Sequence, residues 1–361
     1  MSSVILPKVF LIILNWNGWS DTVRCLNSLR DLSFIPSTKL RTGNYQLSIL
    51  VVDNGSTDGS AERLMAYSLL ASLRASRSGQ PTAPRFELIQ NAENLGFAGG
   101  NNVGIKYALE QGADYICLLN NDTLVEPDFL EKLIAVGEQH KDIGMLNPKI
   151  LLLDDAAKSR KNADYTQTDA DIQGQRKSAF SLRKSAPRFW WIGGKINWLH
   201  TRGWHPYYTE EDRGQFDRNE FFETDYCTGC CVLMKREVIE KIGLMPEEYF
   251  LYYEDADWSL RTRKAGFQCV VVPSAAIWHE GAAANKEGSP KYIRYHVRNG
   301  LMLALRTGNI VQILCAYFMT IPRAKWQVIK WLIIPSKRSW AKAIMLGIWD
   351  AWMGRMGKIK N

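Results

Sequence analysis

Residues 47–58, LSILVVDNGSTD, show the pattern that decides the fold. The apolar part, Leu47–Val52, predicts a strand buried in a parallel sheet, because hydrophobic side chains occupy both of its faces. The part that follows is rich in Asp, Asn and Gly, which predicts a loop at the carboxyl end of the strand. Val9–Leu14 repeats the arrangement, since it is apolar and leads into a polar, glycine-containing loop.

Strand and helix patterns alternate through the rest of the N-terminal part. Further strands are predicted at Phe86–Gln90 and Tyr115–Leu119, and helices at Ser20–Leu29, at Ser60–Leu73 and near Gly100–Gln111. This alternation indicates an α/β fold with a doubly wound, mostly parallel sheet flanked by helices. Ligands of such sheets bind at the carboxyl ends of the strands.

The second part of the chain has a different pattern. Residues 154–188 are polar, mixed in charge and poor in aliphatic side chains, which predicts a long surface insertion. Beyond them, strands are predicted at Asp225–Arg236 and Gln268–Val272, and short helices at Glu237–Ile242 and Asp257–Ala265.

The composition is that of a globular protein. Of its 361 residues, 46% are hydrophobic and 23% are charged, so a sizeable core is expected. The seven cysteines are odd in number and irregularly spaced, which argues against a disulfide framework. Cys227, Cys230 and Cys231 are interpreted as small buried residues, because no second pair lies at zinc spacing. We expect neither a signal peptide nor a membrane-spanning segment, and therefore a cytoplasmic location.

The net charge of +8 comes from the C-terminus. Residues 323–361 carry nine Lys/Arg, one acid (Asp350) and five of the thirteen tryptophans. Helices of this kind lie in a lipid headgroup layer, so we expect peripheral contact with an anionic membrane. The alternative is a helical pair packed on the catalytic part, with a solvated basic face. Nucleic-acid binding is not expected, because no recognition motif is present.

Residues 252–258, YYEDADW, contain three acids beside aromatic side chains. Burying carboxylates is costly unless a cation or a proton transfer requires them. We therefore interpret Glu254, Asp255 and Asp257 as catalytic candidates, one of which would be a general base. The alternative is an acidic first helical turn, which the helix dipole favours.

Asp122 and His279 are candidate metal ligands. Asp122 follows a strand end and two asparagines, and oxygen-rich sites suit hard divalent cations. His279 follows an apolar segment, and a neutral imidazole binds Mn²⁺-like ions. Alternatively, Asp122 caps the helix that begins near Glu126, and His279 is a satisfied core residue.

Asp53 and residues 91–102 are candidates for nucleotide contact. A carboxylate at a strand end can accept the imide N–H of uracil or thymine, whereas Asp58 is interpreted as a helix cap. The loop 91–102, NAENLGFAGGNN, exposes N–H groups at a helix start, where anions bind. It is neither GxGxxG nor a Walker loop, which disfavours dinucleotide binding and ATP hydrolysis.

Six motifs together resemble those of family 2 glycosyltransferases, in the same order and near the same spacings. They are NWNG at 15–18, VDNGSTD at 52–58, NLGFAGGN at 94–101, LNNDT at 119–123, FLYYEDAD at 250–257 and WHEG at 278–281. The branch that the chain most resembles contains rhamnosyltransferases and related bacterial polysaccharide enzymes. The resemblance covers about residues 8–300.

The resemblance implies a GT-A fold with a Rossmann-like sheet. A nucleotide-binding half (about 1–125) would join an acceptor half (about 126–300) without a true break. A helical, basic, Trp-rich region (301–361) would follow as an appendage.

The resemblance also implies roles for individual residues. Asp255 would be the base, with Glu254 and Asp257 orienting donor or acceptor, and Asp122 and His279 would bind the metal. The residues implied for the nucleotide-sugar site are Asn15, Asn17, Asp53, Asn94, Gly96, Asn101 and Asn121. One departure is Asn120, which replaces the first acid of the family's Asp-x-Asp motif and removes a charge from the cation site.

The implied activity is inverting sugar transfer. The donor would be a dTDP- or UDP-sugar, with rhamnose suggested by the branch, and the cofactor would be Mn²⁺ or Mg²⁺. The acceptor would be a hydroxyl of a glycan or lipid-linked glycan in bacterial surface polysaccharide synthesis. A sugar nucleotidyltransferase is an alternative, but no cation follows the first strand until Arg24. A non-catalytic sugar-binding protein is another, against which the combination of Asp122, Asp255 and His279 argues.

Overall fold

The computed structural model describes residues 6–32, 45–78, 86–153, 186–280 and 288–359. Of the predicted insertion at 154–188, residues 154–185 lie outside the described ranges. Within these ranges, no helix is both long and apolar enough to cross a bilayer.

The N-terminal part alternates strands and helices as predicted. Its elements are β1 (Lys8–Asn15), α1 (Trp19–Ser28), β2 (Gln46–Asp53), α2 (Ser60–Ser78), β3 (Glu87–Gln90), α3 (Gly96–Glu110) and β4 (Tyr115–Asn120). The neighbouring pairs β1–β2, β1–β4 and β2–β3 are all parallel. Most of β1, β2 and β4 is buried on both faces, which explains their largely apolar sequences.

The following part extends the same sheet. Its elements are β5 (Thr123–Val125), α4 (Phe129–Gln139), β6 (Ile143–Leu152), β7 (Phe189–Trp191), β8 (Lys195–Asn197), β9 (Arg202–Trp204), β10 (Phe222–Glu223), β11 (Cys231–Lys235), α5 (Arg236–Ile242), α6 (Glu254–Lys264), β12 (Gln268–His279) and α7 (Pro290–Thr307). The main sheet order is β10-β12-β6-β11-β4-β1-β2-β3, and β11 runs antiparallel to both of its neighbours. One mixed, mostly parallel sheet therefore joins the two predicted halves.

Three helices complete the described chain: α8 (Ile310–Phe318), α9 (Thr320–Ile333) and α10 (Arg338–Trp352). Side-chain caps set the start of α7, which precedes these helices, and the start of α8. Ser289 caps α7 by accepting the N–H of Tyr292, and Asn309 with Gln312 forms a capping box at α8. The predicted boundary at residue 300 falls inside α7, so α7 connects the catalytic part to the C-terminal helices.

Several element limits differ from the sequence-based expectation. The strand predicted at Asp225–Arg236 is limited to β11, and α2 continues beyond the predicted Leu73 to Ser78.

Three further differences concern the candidate site. Helix α6 begins at Glu254 rather than at Asp257, which brings all three acids into its first turn. Strand β12 continues beyond Val272 to His279. Its pairing with β6 is irregular between Val272 and Ala276 and then resumes, so the strand does not end there. Helix α3 begins at Gly96, earlier than the predicted Gly100.

The sheet brings the predicted site residues to one edge. Asn15 and Asp53 end neighbouring strands and are paired in register. Strand β4 ends at Asn120, and the last residue of β12, His279, pairs with Thr123 of β5. The carboxyl ends of these strands therefore converge where a doubly wound sheet binds its ligands.

Candidate active site

A hydrogen-bonded network connects the ends of β1 and β2. The Asn15 amide donates to Asp53 Oδ1 at 2.7 Å, and the Ser56 hydroxyl donates to the same oxygen at 2.6 Å. Asn17 lies beside them, since its backbone N–H donates to Ser56 Oγ at 2.9 Å and its Oδ1 accepts the N–H of Thr57 at 2.8 Å. Asp53 is fully buried, so these partners hold its carboxylate in one orientation.

The same network reaches Asn121. The Thr22 hydroxyl donates to Asn15 Oδ1 at 2.8 Å, and Asn121 Nδ2 donates to Thr22 Oγ1 at 3.0 Å. Four residues implied for the nucleotide-sugar site therefore lie in one connected cluster: Asn15, Asn17, Asp53 and Asn121.

Asn54 connects this cluster to the 94–96 loop. Its side-chain Nδ2 donates to Gly96 O at 3.0 Å, and its Oδ1 accepts the N–H of Leu95 at 3.1 Å. Asn94 Oδ1 in turn accepts the N–H of Gly96 at 2.8 Å. Gly96 has φ +80°, and a side chain there would meet the carbonyl of Phe250, so the position requires glycine.

Asn101 lies one turn into α3 and is buried. Its amide donates to Phe97 O at 2.9 Å, within its own helix. Its predicted nucleotide-sugar contact stays a prediction.

Asp122 and His279 face each other. Asp122 Oδ1 lies 3.2 Å from His279 Nε2, and His279 is 5% exposed. The pair is within ion-pair distance, yet Asp122 Oδ1 is buried and accepts no hydrogen bond of good geometry from the residues that the structure describes. Burial acts to raise the pKa of Asp122, but His279, together with a backbone hydrogen bond and the charge of Arg24, more than offsets burial, so the pKa is lowered.

The residues present fit a divalent cation. A buried carboxylate oxygen that faces an imidazole nitrogen and has no well-formed hydrogen bond within the described ranges is a donor set that Mn²⁺ or Mg²⁺ accepts. Across the described ranges, no group of three His, Cys, Asp or Glu side chains could hold a metal ion. A cation at Asp122 and His279 would therefore take further ligands from phosphate or water.

Glu254 and Asp255 lie at the start of α6. Asp255 Oδ2 accepts the N–H of Gly229 at 2.9 Å, and its Oδ1 accepts the N–H of Ala256 at 2.8 Å. Glu254 is 4% exposed, and within the described residues its Oε2 has no hydrogen-bond partner. Burial, with the charge of Asp255, raises the pKa of Glu254 to about 8, and burial also raises the pKa of Asp255.

Gly229 and Cys230 connect Asp255 to the loop that carries Asp122. Gly229 donates to Asp255, and the carbonyl of the next residue, Cys230, accepts the N–H of Asn120 at 2.8 Å. The Asp255 carboxylate and the loop that carries Asp122 are therefore fixed to adjacent residues of one strand end.

Asp257 belongs to a different environment. It is fully buried, and it accepts hydrogen bonds from Arg261 at 2.8 Å, Arg306 at 2.9 Å and Tyr249 at 2.9 Å. Both carboxylate oxygens are thus engaged with protein donors. The prediction that Asp257 orients donor or acceptor stays a prediction, and its contacts in the structure are those of an ion pair between helices.

The turn before α6 is strained. Phe250, Tyr252 and Tyr253 have φ angles of 65°, 69° and 75°, a region that non-glycine residues rarely adopt. Such residues cost on the order of 1–3 kcal/mol each and persist only where surrounding contacts hold them.

Sequence reasoning did not identify three residues that build this site: Thr22, Asn54 and Gly229. Asn54 lies inside the motif at 52–58 and Gly229 in a strand-like run, but the contacts of both are with segments far along the chain. The signal that could have revealed Gly229 is a glycine that interrupts a strand-like apolar run.

Comparison with known proteins identifies the family. The profile of Glycosyl transferase family 2 matches residues 10–243. An N-acetylglucosaminyl-diphospho-decaprenol L-rhamnosyltransferase of Mycobacterium tuberculosis is 24% identical over 273 residues, which cover 73% of this chain and 76% of the relative. A dTDP-rhamnosyl transferase of Shigella flexneri is 24% identical over 236 residues, covering 63% of this chain and 65% of the relative.

A solved structure supports the same fold. The mannosyltransferase of Pyrobaculum calidifontis, in complex with GDP-Man and Mn²⁺, superposes with a TM-score of 0.52 over 97% of this chain and 88% of that one, at 12% identity. The expected GT-A type α/β fold with C-terminal helices is thereby confirmed. Because the family profile covers more than half of the sequence, this chain belongs to glycosyl transferase family 2 and is a glycosyltransferase with rhamnosyltransferases among its relatives.

Proposed function

We propose that this chain is an inverting glycosyltransferase of bacterial surface polysaccharide synthesis. It would move a sugar from a dTDP- or UDP-linked donor to a hydroxyl of a glycan or lipid-linked acceptor. The observation that carries the proposal is the connection of Asp255, through Gly229 and Cys230, to the loop of Asp122. A general base and a pair of cation ligands near one strand end are what a single displacement at an anomeric carbon requires, since the cation stabilises the departing diphosphate.

The donor's nucleotide would bind at the ends of β1 and β2. Asn15 and Asp53 would contact the nucleoside, beside Asn17 and Asn121 in the same network. Asn94 and Gly96 would lie near the ribose and phosphates, where α3 begins and helix N–H groups favour anions.

Asp122 and His279 would hold the divalent cation. When bound, Mn²⁺ or Mg²⁺ supplies Lewis-acid stabilisation of the charge on the departing diphosphate. With Asn120 in place of an acid, the protein offers one carboxylate fewer, so we expect the cation to bind together with the nucleotide.

Asp255 would act as the general base. Its carboxylate takes the proton of the acceptor hydroxyl while the acceptor oxygen bonds to the anomeric carbon and the bond to the diphosphate breaks. Burial raises the pKa of Asp255, which brings it closer to the working pH and makes it a better base. Gly229 and Ala256 fix the carboxylate through one hydrogen bond to each oxygen.

Rhamnose as the donor sugar and a lipid-linked diphosphate as part of the acceptor are supported by the names of the two relatives described above. The direct test is a thermal-shift screen of dTDP, UDP and GDP with Mn²⁺, followed by transfer assays with the sugar forms of the nucleotide that binds. We expect dTDP or UDP to stabilise the chain only with the cation. Stabilisation by GDP alone, or no transfer with any donor, would reject the proposal.

We further propose that α8–α10 contact the anionic inner face of the cell membrane. Exposed apolar side chains are concentrated there, among them Phe318 (69% exposed) and Ile333 (71% exposed). The exposed tryptophans of this region are Trp326, Trp331, Trp340, Trp349 and Trp352.

The positive charge of α9 and α10 favours contact with an anionic lipid surface. The single acid of residues 323–361, Asp350, is buried and paired with Arg294 at 2.6 Å, so only cations face outward with the tryptophans. Lys330 and Arg338 lie over the rings of Trp326 and Trp331. Clustered Lys and Arg near anionic lipid contribute about 1 kcal/mol each.

Vesicle flotation of the full chain tests this contact. We expect flotation with vesicles containing phosphatidylglycerol, and its loss when Trp326 and Trp331 are replaced by serine. Trp204→Ser is the matched control, because Trp204 is 49% exposed but lies on β9. Equal behaviour of the two sets of variants, or no flotation of the native chain, would contradict membrane contact.

We also propose limits for the two halves of the catalytic part. The nucleotide-binding half (about 1–125) and the acceptor half (about 126–300) share one sheet, and residue 300 lies inside α7. Because residues 357 and 359 bond to side chains of α7, truncation at residue 323 would disturb the catalytic part, and substitutions are the better probe.

A further inference from the structure

The turn at residues 249–253 has contacts on two sides. Its carbonyl at Phe250 accepts the N–H of Phe97 at 2.7 Å, at the start of α3. Its last residue, Tyr253, directly precedes Glu254 and Asp255 of α6. The turn therefore lies between the segment proposed for donor phosphates and the proposed base, and its three positive φ angles need external support.

Asn299 of α7 provides that support. Its side chain is fully buried, and Nδ2 donates to the carbonyls of Leu251 at 2.8 Å, Tyr252 at 2.9 Å and Tyr249 at 3.2 Å. An amide has two N–H groups, so one of them is shared between two carbonyls. A single side chain thus fixes three carbonyls within four consecutive residues.

Arg298 fixes the orientation of this amide. Its Nε donates to Asn299 Oδ1 at 2.8 Å, which points the Nδ2 end toward the turn. Its guanidinium also donates to Tyr249 O at 3.1 Å and to Gly357 O at 2.9 Å. Both residues are buried, so water cannot replace their hydrogen bonds.

We propose that Asn299 is a positioning residue for sugar transfer, which holds the strained turn and thereby sets the first turn of α6, with Asp255, against the donor loop. The kinetic part of this inference rests on the proposed function. The conformational part does not, since it concerns the turn itself.

The test uses two variants of the full chain. Asn299→Asp keeps the size of the side chain but turns a carboxylate toward three carbonyl oxygens, and Asn299→Ser is the milder change. Thr307→Val is the matched control, because Thr307 is buried on the same helix and donates only to Leu303 O, at 2.7 Å.

We expect hydrogen–deuterium exchange of residues 249–256 to become about tenfold faster or more in both Asn299 variants. In transfer assays with dTDP-L-rhamnose, we expect kcat to fall about 100-fold, since small misplacements of catalytic groups cost that much. The Kd for dTDP with Mn²⁺ should stay within about threefold, because the hydrogen bonds described for Asn299 go to the 249–252 turn and to Arg298, whereas Asn15 and Asp53 bond to each other.

Unchanged exchange of residues 249–256 would overturn the inference, and that measurement needs no substrate, so it decides even if the chain proves not to transfer sugar. Equal effects in Thr307→Val, or a loss of dTDP affinity in proportion to kcat, would also overturn it. If neither Asn299 variant folded, Asn299 would be required for the stability of the whole chain and not specifically for the turn, and the inference would fail.

Discussion

Gly229 donates its backbone N–H to the Asp255 carboxylate at 2.9 Å, across 26 positions of sequence. The carbonyl of the following residue, Cys230, accepts the N–H of Asn120. The strand end at 229–230 therefore fixes the distance between the proposed base and the loop of the proposed metal pair, and substitutions on either side should have separable effects.

Asp122→Asn and His279→Ala should weaken nucleotide binding only when the cation is present. Loss of either side chain removes half of the protein's donor set, so we expect Mn²⁺-dependent affinity for dTDP to fall at least about tenfold. Isothermal titration with and without EDTA measures this difference. His140→Gln is the control, because His140 is paired with Glu220 on the surface; equal losses in all three variants would exclude a metal role for the pair.

Gly229→Ala should lower turnover more than nucleotide affinity. A methyl group there would approach the Phe97 ring to 2.9 Å and the Asp255 Cβ to 3.6 Å. We expect the free energy of unfolding to decrease by about 1–3 kcal/mol, as for other overpacked sites. Denaturant unfolding and kcat measurements test this; a variant with native kcat would show that close packing at residue 229 does not position the base.

Glu254→Gln should change how stability depends on pH. Burial and Asp255 raise the pKa of Glu254 to about 8 in the folded chain, above its ordinary value in the unfolded chain. The folded state therefore holds this proton more tightly, and the stability present at low pH is lost as pH rises toward 8. We expect the Tm of the variant, relative to the native chain, to increase from pH 5 to pH 8.

The control for this pH effect is Glu110→Gln, on the exposed surface of α3. A constant difference in Tm between Glu254→Gln and the native chain at all pH values would mean that the proton on Glu254 is not linked to folding.

The sequence was informative wherever function depends on the ends of regular elements. Asn15 and Asp53 follow apolar runs, and the alternation of strands and helices predicts a parallel sheet with ligands at the carboxyl ends of such runs. His279 follows an apolar segment and was a candidate ligand for that reason as well as by resemblance, and the continuation of β12 beyond Val272 accounts for its position. These contacts follow from sheet topology, which the hydrophobic pattern encodes.

Other parts of the site depend on single contacts between distant segments. The hydrogen bonds from Asn299 to the 249–252 carbonyls and from Gly229 to Asp255 cannot be predicted from the local hydrophobic pattern of the sequence. The positive φ angles at Phe250, Tyr252 and Tyr253 also contradict local preference, since aromatic residues disfavour them. Such exceptions are expected at functional sites, where tertiary contacts override propensity.

The turnover of Asp255→Asn at saturating donor tests the central claim most directly. The substitution keeps the size of the side chain and removes its ability to accept the acceptor's proton. We predict that kcat falls about 10²- to 10⁴-fold while the Kd for dTDP with Mn²⁺ stays within about threefold of the native value. A kcat within about threefold of the native value would contradict the assignment of Asp255 as the base.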